Sequence, residues 1–137
     1  MANIVWRDGY SVGIPSFDDD HKKIIELINR LHLALRDHEE NDGMLKIALD
    51  EVVEYGQLHF RHEESIMAEH KYPGLEQHER EHRLYNGQVD EFVRQLEQDS
   101  SSLAMKDLYH FLRKWWTGHI SEVDMEYGPY LKGRGVQ

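Results

Sequence analysis

Residues 14–35 read IPSFDDDHKKIIELINRLHLAL, and this stretch sets the architecture. Ile14, Phe17, His21, Ile24, Ile28, Leu31 and Leu35 recur at alternating steps of three and four. That is the seam of an amphipathic helix whose one face meets other helices. Pro15 suits the first helical position, where a missing N–H breaks no bond. The pattern predicts a helix over 15–37. One member of its seam, His21, has the wrong chemistry for a bundle core.

Three more stripes follow. Beyond a polar break from His38 to Gly43, the residues Leu45, Ala48, Val52, Gly56, His59, Glu63 and Ile66 predict a helix over 43–69. Tyr72-Pro73-Gly74 is a stop and a turn. Leu75, His78, His82, Tyr85, Val89, Phe92 and Leu96 predict a helix over 75–97. Asp99-Ser100-Ser101-Ser102 reads as a loop with capping residues. Met105, Leu108, Leu112, Trp115 and His119 open the fourth stripe, predicted over 104–131. There the seam slips, because Asp124, Tyr127 and Leu131 resume it only if one residue is skipped. One inserted residue in a helical seam is the mark of a π-bulge, here near 119–124. Four amphipathic helices with short links imply an all-α, up-down-up-down four-helix bundle, a single domain over 1–137. The first 13 residues form an arm whose Trp6 and Tyr10 are expected to pack. Lys132 to Gln137 are expected to fray.

Composition removes whole classes of function. The 137 residues carry 16 basic and 26 acidic side chains, a net charge of −10. Nucleic acids and anionic membranes call for clustered positive charge instead. With no cysteine, disulfides, thiolate catalysis and iron–sulfur clusters are excluded. No apolar run approaches the roughly 20 residues of a membrane span. The opening MANIVWRDGY lacks the parts of a signal peptide, so a cytoplasmic location is expected. Glycine-rich phosphate loops are missing as well. What stands out is histidine, ten in all.

Seven seam positions are polar: His21, His59, Glu63, His78, His82, His119 and Asp124. In an up-down-up-down bundle the start of the first and third helices and the end of the second and fourth share one end. All seven therefore converge there. A buried polar group without a partner costs on the order of 1–3 kcal/mol. A domain stable by about 5–15 kcal/mol does not carry seven of them unpaired. Metal ligation removes the conflict, since imidazole and carboxylate bind Zn, Fe, Cu and Ni. His59 and Glu63 are i, i+4, as are His78 and His82, so each pair shares a helix face. His119 and Asp124 are i, i+5, about 140° apart on a regular helix, and the π-bulge closes that gap.

Seven ligands exceed the four of a zinc site and point to two ions. Two octahedral ions bridged by both carboxylates and one oxygen, with five terminal imidazoles, keep a single position open for a small ligand. Carboxylate-rich di-iron bundles use four Glu and two His. The imidazole-rich set here leaves the site more positive, which favours the reduced pair and reversible oxygen binding.

Together these residues resemble the hemerythrin family, in its prokaryotic single-domain branch, the bacteriohemerythrins. The resemblance runs over about 6–131. It rests on Trp6, Tyr10-Ser11-Val12-Gly13-Ile14, Phe17-Asp18, His21, His59-Phe60-Arg61-His62-Glu63, His78-Glu79-Arg80-Glu81-His82 and His119-Ile120-Ser121-Glu122-Val123-Asp124. It implies a non-heme di-iron site, with two iron ions (Fe2+/Fe3+) and a bridging oxo or hydroxo group, that binds O2 reversibly for carriage, storage or delivery. His78, His82 and His119 would hold the coordinatively full iron, and His21 and His59 the iron with the open position. Glu63 and Asp124 would bridge. Ile24, Phe60, Trp116 and Ile120 would wall the oxygen pocket. The position three before the last histidine is often leucine in the family, and here it is Trp116. Small anions such as azide would take the same open position. The expected chain is a monomer with no catalytic residues, and an oxygen-using protein is a candidate partner.

Two other readings compete. An oxygen or redox sensor would use the same site, and a single-domain chain is expected to favour carriage, storage or delivery over sensing. His78-Glu79-Arg80-Glu81-His82 also matches HExxH, the zinc-peptidase signature, with Glu79 as base. That match leaves five seam residues unexplained. The remaining histidines, His32, His38, His62, His70 and His110, fall off the seams or in loops and are expected to be solvated or hydrogen-bonded.

Overall fold

The computed structural model describes residues 3–36, 42–98 and 102–137. Helix α1 is Pro15–Arg36, α2 is Asp42–Glu69, α3 is Leu75–Gln98 and α4 is Ser102–Gly118. A single π turn, His119–Val123, joins α4 to α5, Asp124–Gly133. There is no strand among the described residues. α1 packs on α2 and α4, and α3 packs on the same two, so the helices form an all-α four-helix bundle. Helix ends fall within two residues of those read from the seams. Of the breaks expected at 38–43 and 99–102, residues 38–41 and 99–101 lie outside the described residues, while Asp42, Gly43 and Ser102 already belong to helices.

Local chemistry explains the ends. Ile14 O accepts from Phe17 N and Asp18 N at 3.0 and 2.9 Å, which places Pro15 in the first turn. α2 stops where Tyr72 N reaches Met67 O at 2.9 Å and Lys71 N reaches Ala68 O at 3.2 Å. Those paired bonds are a Schellman cap, and Lys71 holds its left-handed position at φ 54°. The same cap closes α5: Val136 N bonds Leu131 O at 3.1 Å and Gly135 N bonds Lys132 O at 3.1 Å, with Gly135 at φ 84°. The chain end is thus not frayed as expected, because Val136 packs on the apolar group around Leu131.

Two apolar clusters flank the polar level. The larger holds Ile24, Ile28, Leu31, Leu35, Val52, Tyr85, Val89, Leu108, Leu112 and Trp116. The smaller, at the other side, holds Val12, Ile14, Phe17, Met67, Tyr127 and Leu131. The N-terminal arm completes that second cluster. Asp18 fixes the arm by accepting from Ser11 Oγ at 2.6 Å and Val12 N at 2.9 Å. Asn29 binds Ile4 through both amide atoms at 2.9 and 2.8 Å. Tyr10 is buried and Trp6 half-buried, so the arm packs as its aromatics imply. Val12 O lies so close to Gly128 that a Cβ there would sit 2.3 Å from it.

Candidate metal centre

All seven polar seam residues are buried, His119 being the most exposed at 5%. α1 supplies His21, α2 supplies His59 and Glu63, and α3 supplies His78 and His82. His119 and Asp124 bracket the π turn, where Asp124 N–H bonds His119 O across five residues. That wider turn carries both side chains to one face. Ser121 Oγ donates to Thr117 O at 2.7 Å, serving a carbonyl beside the irregularity.

The donors form two overlapping groups, Glu63 with His78, His82 and His119, and Glu63 with His21, His59 and Asp124. Within each, the ligating atoms lie within 4.8 Å of one another. Asp124 spans both: Oδ1 lies 3.0 Å from His78 Nε2 and 2.9 Å from His119 Nε2, while Oδ2 lies 3.1 Å from His21 Nε2. Glu63 does the same, with Oε1 3.2 Å from His59 Nε2 and 3.5 Å from His82 Nε2, and its other oxygen toward His21.

These atoms crowd together without satisfying one another. Glu63 Oε1, the Nε2 atoms of His78, His82 and His119, and both Asp124 oxygens are buried and make no hydrogen bond. His21 Nε2 and His59 Nε2 face each other at 2.9 Å. A ring of lone pairs aimed at common points fits cations and fits little else. The electrostatics agree. Burial opposes charge on both His59 and His78, yet Glu63, Asp20 and Asp124 raise His59, and Asp124 and Glu63 raise His78, each to about 10. Burial raises the two carboxylates, but the surrounding imidazoles hold Glu63 and Asp124 far below the usual range. The pocket demands positive charge.

A second layer orients the first. Asp20 Oδ2 lies 2.9 Å from His59 Nδ1 and 2.7 Å from His62 Nδ1. His62 is therefore tied to the site through Asp20 and is no bystander. Glu64 Oε1 lies 3.1 Å from His82 Nδ1, and Glu81 Oε2 lies 3.5 Å from His119 Nδ1. Tyr127 OH donates to Glu63 Oε2. Burial and the two carboxylates push that hydroxyl well above its usual range, so it keeps its proton. Sequence reasoning missed Asp20 and Tyr127 as supports, although Tyr127 sits on the seam one turn after Asp124. Of the remaining histidines, His32 stacks on Tyr109 at 5.0 Å, while His70 and His110 lie off the centre. His38 lies outside the described residues.

Ile24, Phe60, Trp116 and Ile120 are all buried in the larger cluster beside the donors. Phe60 stacks on His82 at 3.8 Å and on Trp116 at 5.2 Å. Trp116 lies 6.1 Å from the His59 ring and gives its Nε1–H to Tyr85 OH at 3.0 Å. Gly56 makes room for it, since a Cβ there would sit 3.1 Å from the indole. Trp115, read as the seam tryptophan, is half-buried instead, and stacks on His119 at 4.2 Å. Glu79 is 38% exposed, with its carboxylate 3.7 Å from Arg83 on the helix surface. It is turned away from His78 and His82, which removes the base from the peptidase reading.

Comparison with known proteins agrees with this geometry. The family model of the hemerythrin HHE cation binding domain matches residues 12–131. The chain belongs to the hemerythrin family. It is 33% identical to the bacteriohemerythrin of Stenotrophomonas maltophilia, over 96% of this chain and 84% of that one. It is 27% identical to hemerythrin subunit 1 of Golfingia vulgaris, over 90% and 89% of the two. Among solved structures, wild-type hemerythrin superposes with a TM-score of 0.84 at 27% identity, covering 95% of this chain and 98% of that one. A leucine-to-tyrosine hemerythrin variant gives the same TM-score at 28% identity. No helix among the described residues is long and apolar enough to cross a membrane.

Proposed function

We propose that this hemerythrin-family chain binds O2 reversibly at a pair of irons, in oxygen carriage, storage or delivery. The observation that carries the reading is the buried ring of unsatisfied donors, divided into two groups that share Glu63. His78, His82 and His119 would hold one iron, His21 and His59 the other, and Glu63 and Asp124 would bridge them. When bound, the iron pair supplies the two electrons that O2 takes up on binding and returns on leaving. The chain's own part is to shape and dry the place where this happens. Asp20 and Glu64 hold the His59 and His82 rings by Nδ1, so that Nε2 faces inward. Tyr127 holds one Glu63 oxygen. Ile24, Phe60, Trp116 and Ile120 exclude water. The Trp116 N–H is spent on Tyr85, so these walls offer the ligand no acid and no base. That supports binding without turnover, and a chain that is not an enzyme. The apolar walls suit O2, and small anions such as azide would compete for the same open position. The chain would act as a cytoplasmic monomer and pass oxygen to an oxygen-using protein.

Iron analysis tests this directly. The purified full chain should hold about two irons per chain, with a visible band that appears with O2 and fades without it. Glu63→Gln should lower iron retention about tenfold or more, as loss of a supporting ligand does. One metal per fully loaded chain, or unchanged iron and spectrum in Glu63→Gln, would overturn the assignment.

A further inference from the structure

The five histidines of the centre are surrounded by rings, and one of those rings reaches the surface. Phe17, Phe60, Trp116 and Tyr127, which contact His59, His82 or His78, are all buried. Trp115 differs. Its ring lies parallel to the His119 imidazole, with centroids 4.2 Å apart and planes 14° apart, and it is only half-buried. It also touches Tyr85 at 4.3 Å. Its outer face floors a groove of about 580 Å³ between α3 and α4, beside His119 itself, Leu84, Phe111, Lys114, Glu81 and Glu122. The floor is apolar and aromatic, with Leu84 65% exposed. The rim sets Glu81 and Glu122 against Lys114, on a chain of net charge −10.

We propose that Trp115 is the port through which electrons enter the metal centre, from a one-electron donor whose positively charged face docks over this groove. The inference rests on the iron-pair reading. An oxygen-binding iron pair that has lost its electrons must be reset from outside, and of the seven donors His119 alone lines this groove, buried to all but 5% with the Trp115 ring stacked on it. The stacked Trp115–His119 pair offers continuous π contact from groove to ligand. The acidic rim and the overall charge select a cationic face and draw it in over a distance that salt shortens. In each transfer one donor loses one electron. Two transfers convert two ferric ions to two ferrous ions, and no bond in the protein is made or broken.

The methyl viologen radical cation, a planar cationic one-electron donor, is the probe. It is mixed anaerobically with the oxidised, iron-loaded full chain, and reduction is followed by stopped flow. Trp115→Leu should slow reduction by about an order of magnitude, whereas Trp115→Phe, which keeps a ring on His119, should stay close to wild type. Glu122→Lys should also slow it, with a weaker dependence on ionic strength. As a separate readout, the viologen dication should quench tryptophan emission of the wild type, and most of that quenching should vanish in Trp115→Leu. Iron content and the O2-dependent band are recorded for every protein. Loaded variants that reduce and quench like wild type would overturn the port alone. A wild type without an iron pair would overturn the reading beneath it as well.

Discussion

The two halves of the bundle, divided near Gly56, are built by different rules. In the half with Leu31, Leu45, Val52, Leu108 and Leu112, regular helices meet mainly through aliphatic side chains in van der Waals contact. The half with the seven donors holds a π turn, a left-handed lysine and a glycine pressed against a backbone carbonyl. Its buried polar groups are packed round by aromatic rings together with Ile24 and Ile120, and a second apolar cluster lies on their other side. The first half supplies folding free energy. The second gives up regular geometry to bring side chains from four helices to one level, and Trp116 sits at the boundary between the two.

That boundary is where the comparison breaks most visibly. Trp116 is fully buried, fills the space above Gly56 and bonds Tyr85. Trp116→Ala should cost about 3–5 kcal/mol in chemical denaturation. It should also admit water beside the centre and speed loss of the O2-dependent band at a temperature where both proteins are folded. Leu31→Ala, a cavity of the same kind in the aliphatic half, should cost about 2–5 kcal/mol and leave that band's lifetime unchanged. Equal lifetimes in the two variants would mean that the two halves are not functionally separate.

Gly128→Ala probes the seam between the arm and the donor half. The added methyl would meet Val12 O, a backbone atom held in place by Asp18. A loss of about 1–3 kcal/mol is expected, as for overpacking, with faster proteolysis of the arm around Val5 to Ser11. An arm as protected as in wild type would show that the contact yields without strain.

Much of this contrast was legible in the sequence, and for a physical reason. Burial imposes a period on helices, so the seams gave their extents, the slipped register after His119 gave the π turn, and seven polar residues on seams gave the centre. Legibility ended where position depends on direction within a turn. Trp115 and Trp116 are neighbours about 100° apart round the helix, and the seam alone does not say which one a glycine two helices away makes room for. Asp20 lies beside His21 in a run of three aspartates, and only the packing of α1 on α2 selects it as the partner of His59 and His62. Tyr127 reads as an ordinary core residue until its hydroxyl is found on Glu63. The closing cap at Gly135 needed the contact between Val136 and the Leu131 cluster, which no local pattern announces.

The two Schellman caps give the smallest and cleanest test. Gly135 and Lys71 occupy the same left-handed position, at φ 84° and 54°. Glycine has no Cβ to crowd the following carbonyl there, whereas an L side chain costs roughly 1–2 kcal/mol in that conformation. Lys71→Gly should therefore relieve the donor half of a local strain. The gain is partly offset, because glycine also widens the freedom of the unfolded chain. Lys71 is exposed, so little packing is lost with its side chain. The Tyr72 N to Met67 O bond that closes α2 involves no side-chain atom and survives the change. The net expectation is a rise of about 0.5–1 kcal/mol in unfolding free energy, with iron content and spectrum unchanged. Lys71→Ala keeps the Cβ and separates strain from the loss of the lysine charge, so it should gain nothing. If Lys71→Ala matched Lys71→Gly, the benefit would come from charge, and the left-handed turn would not be a site of strain.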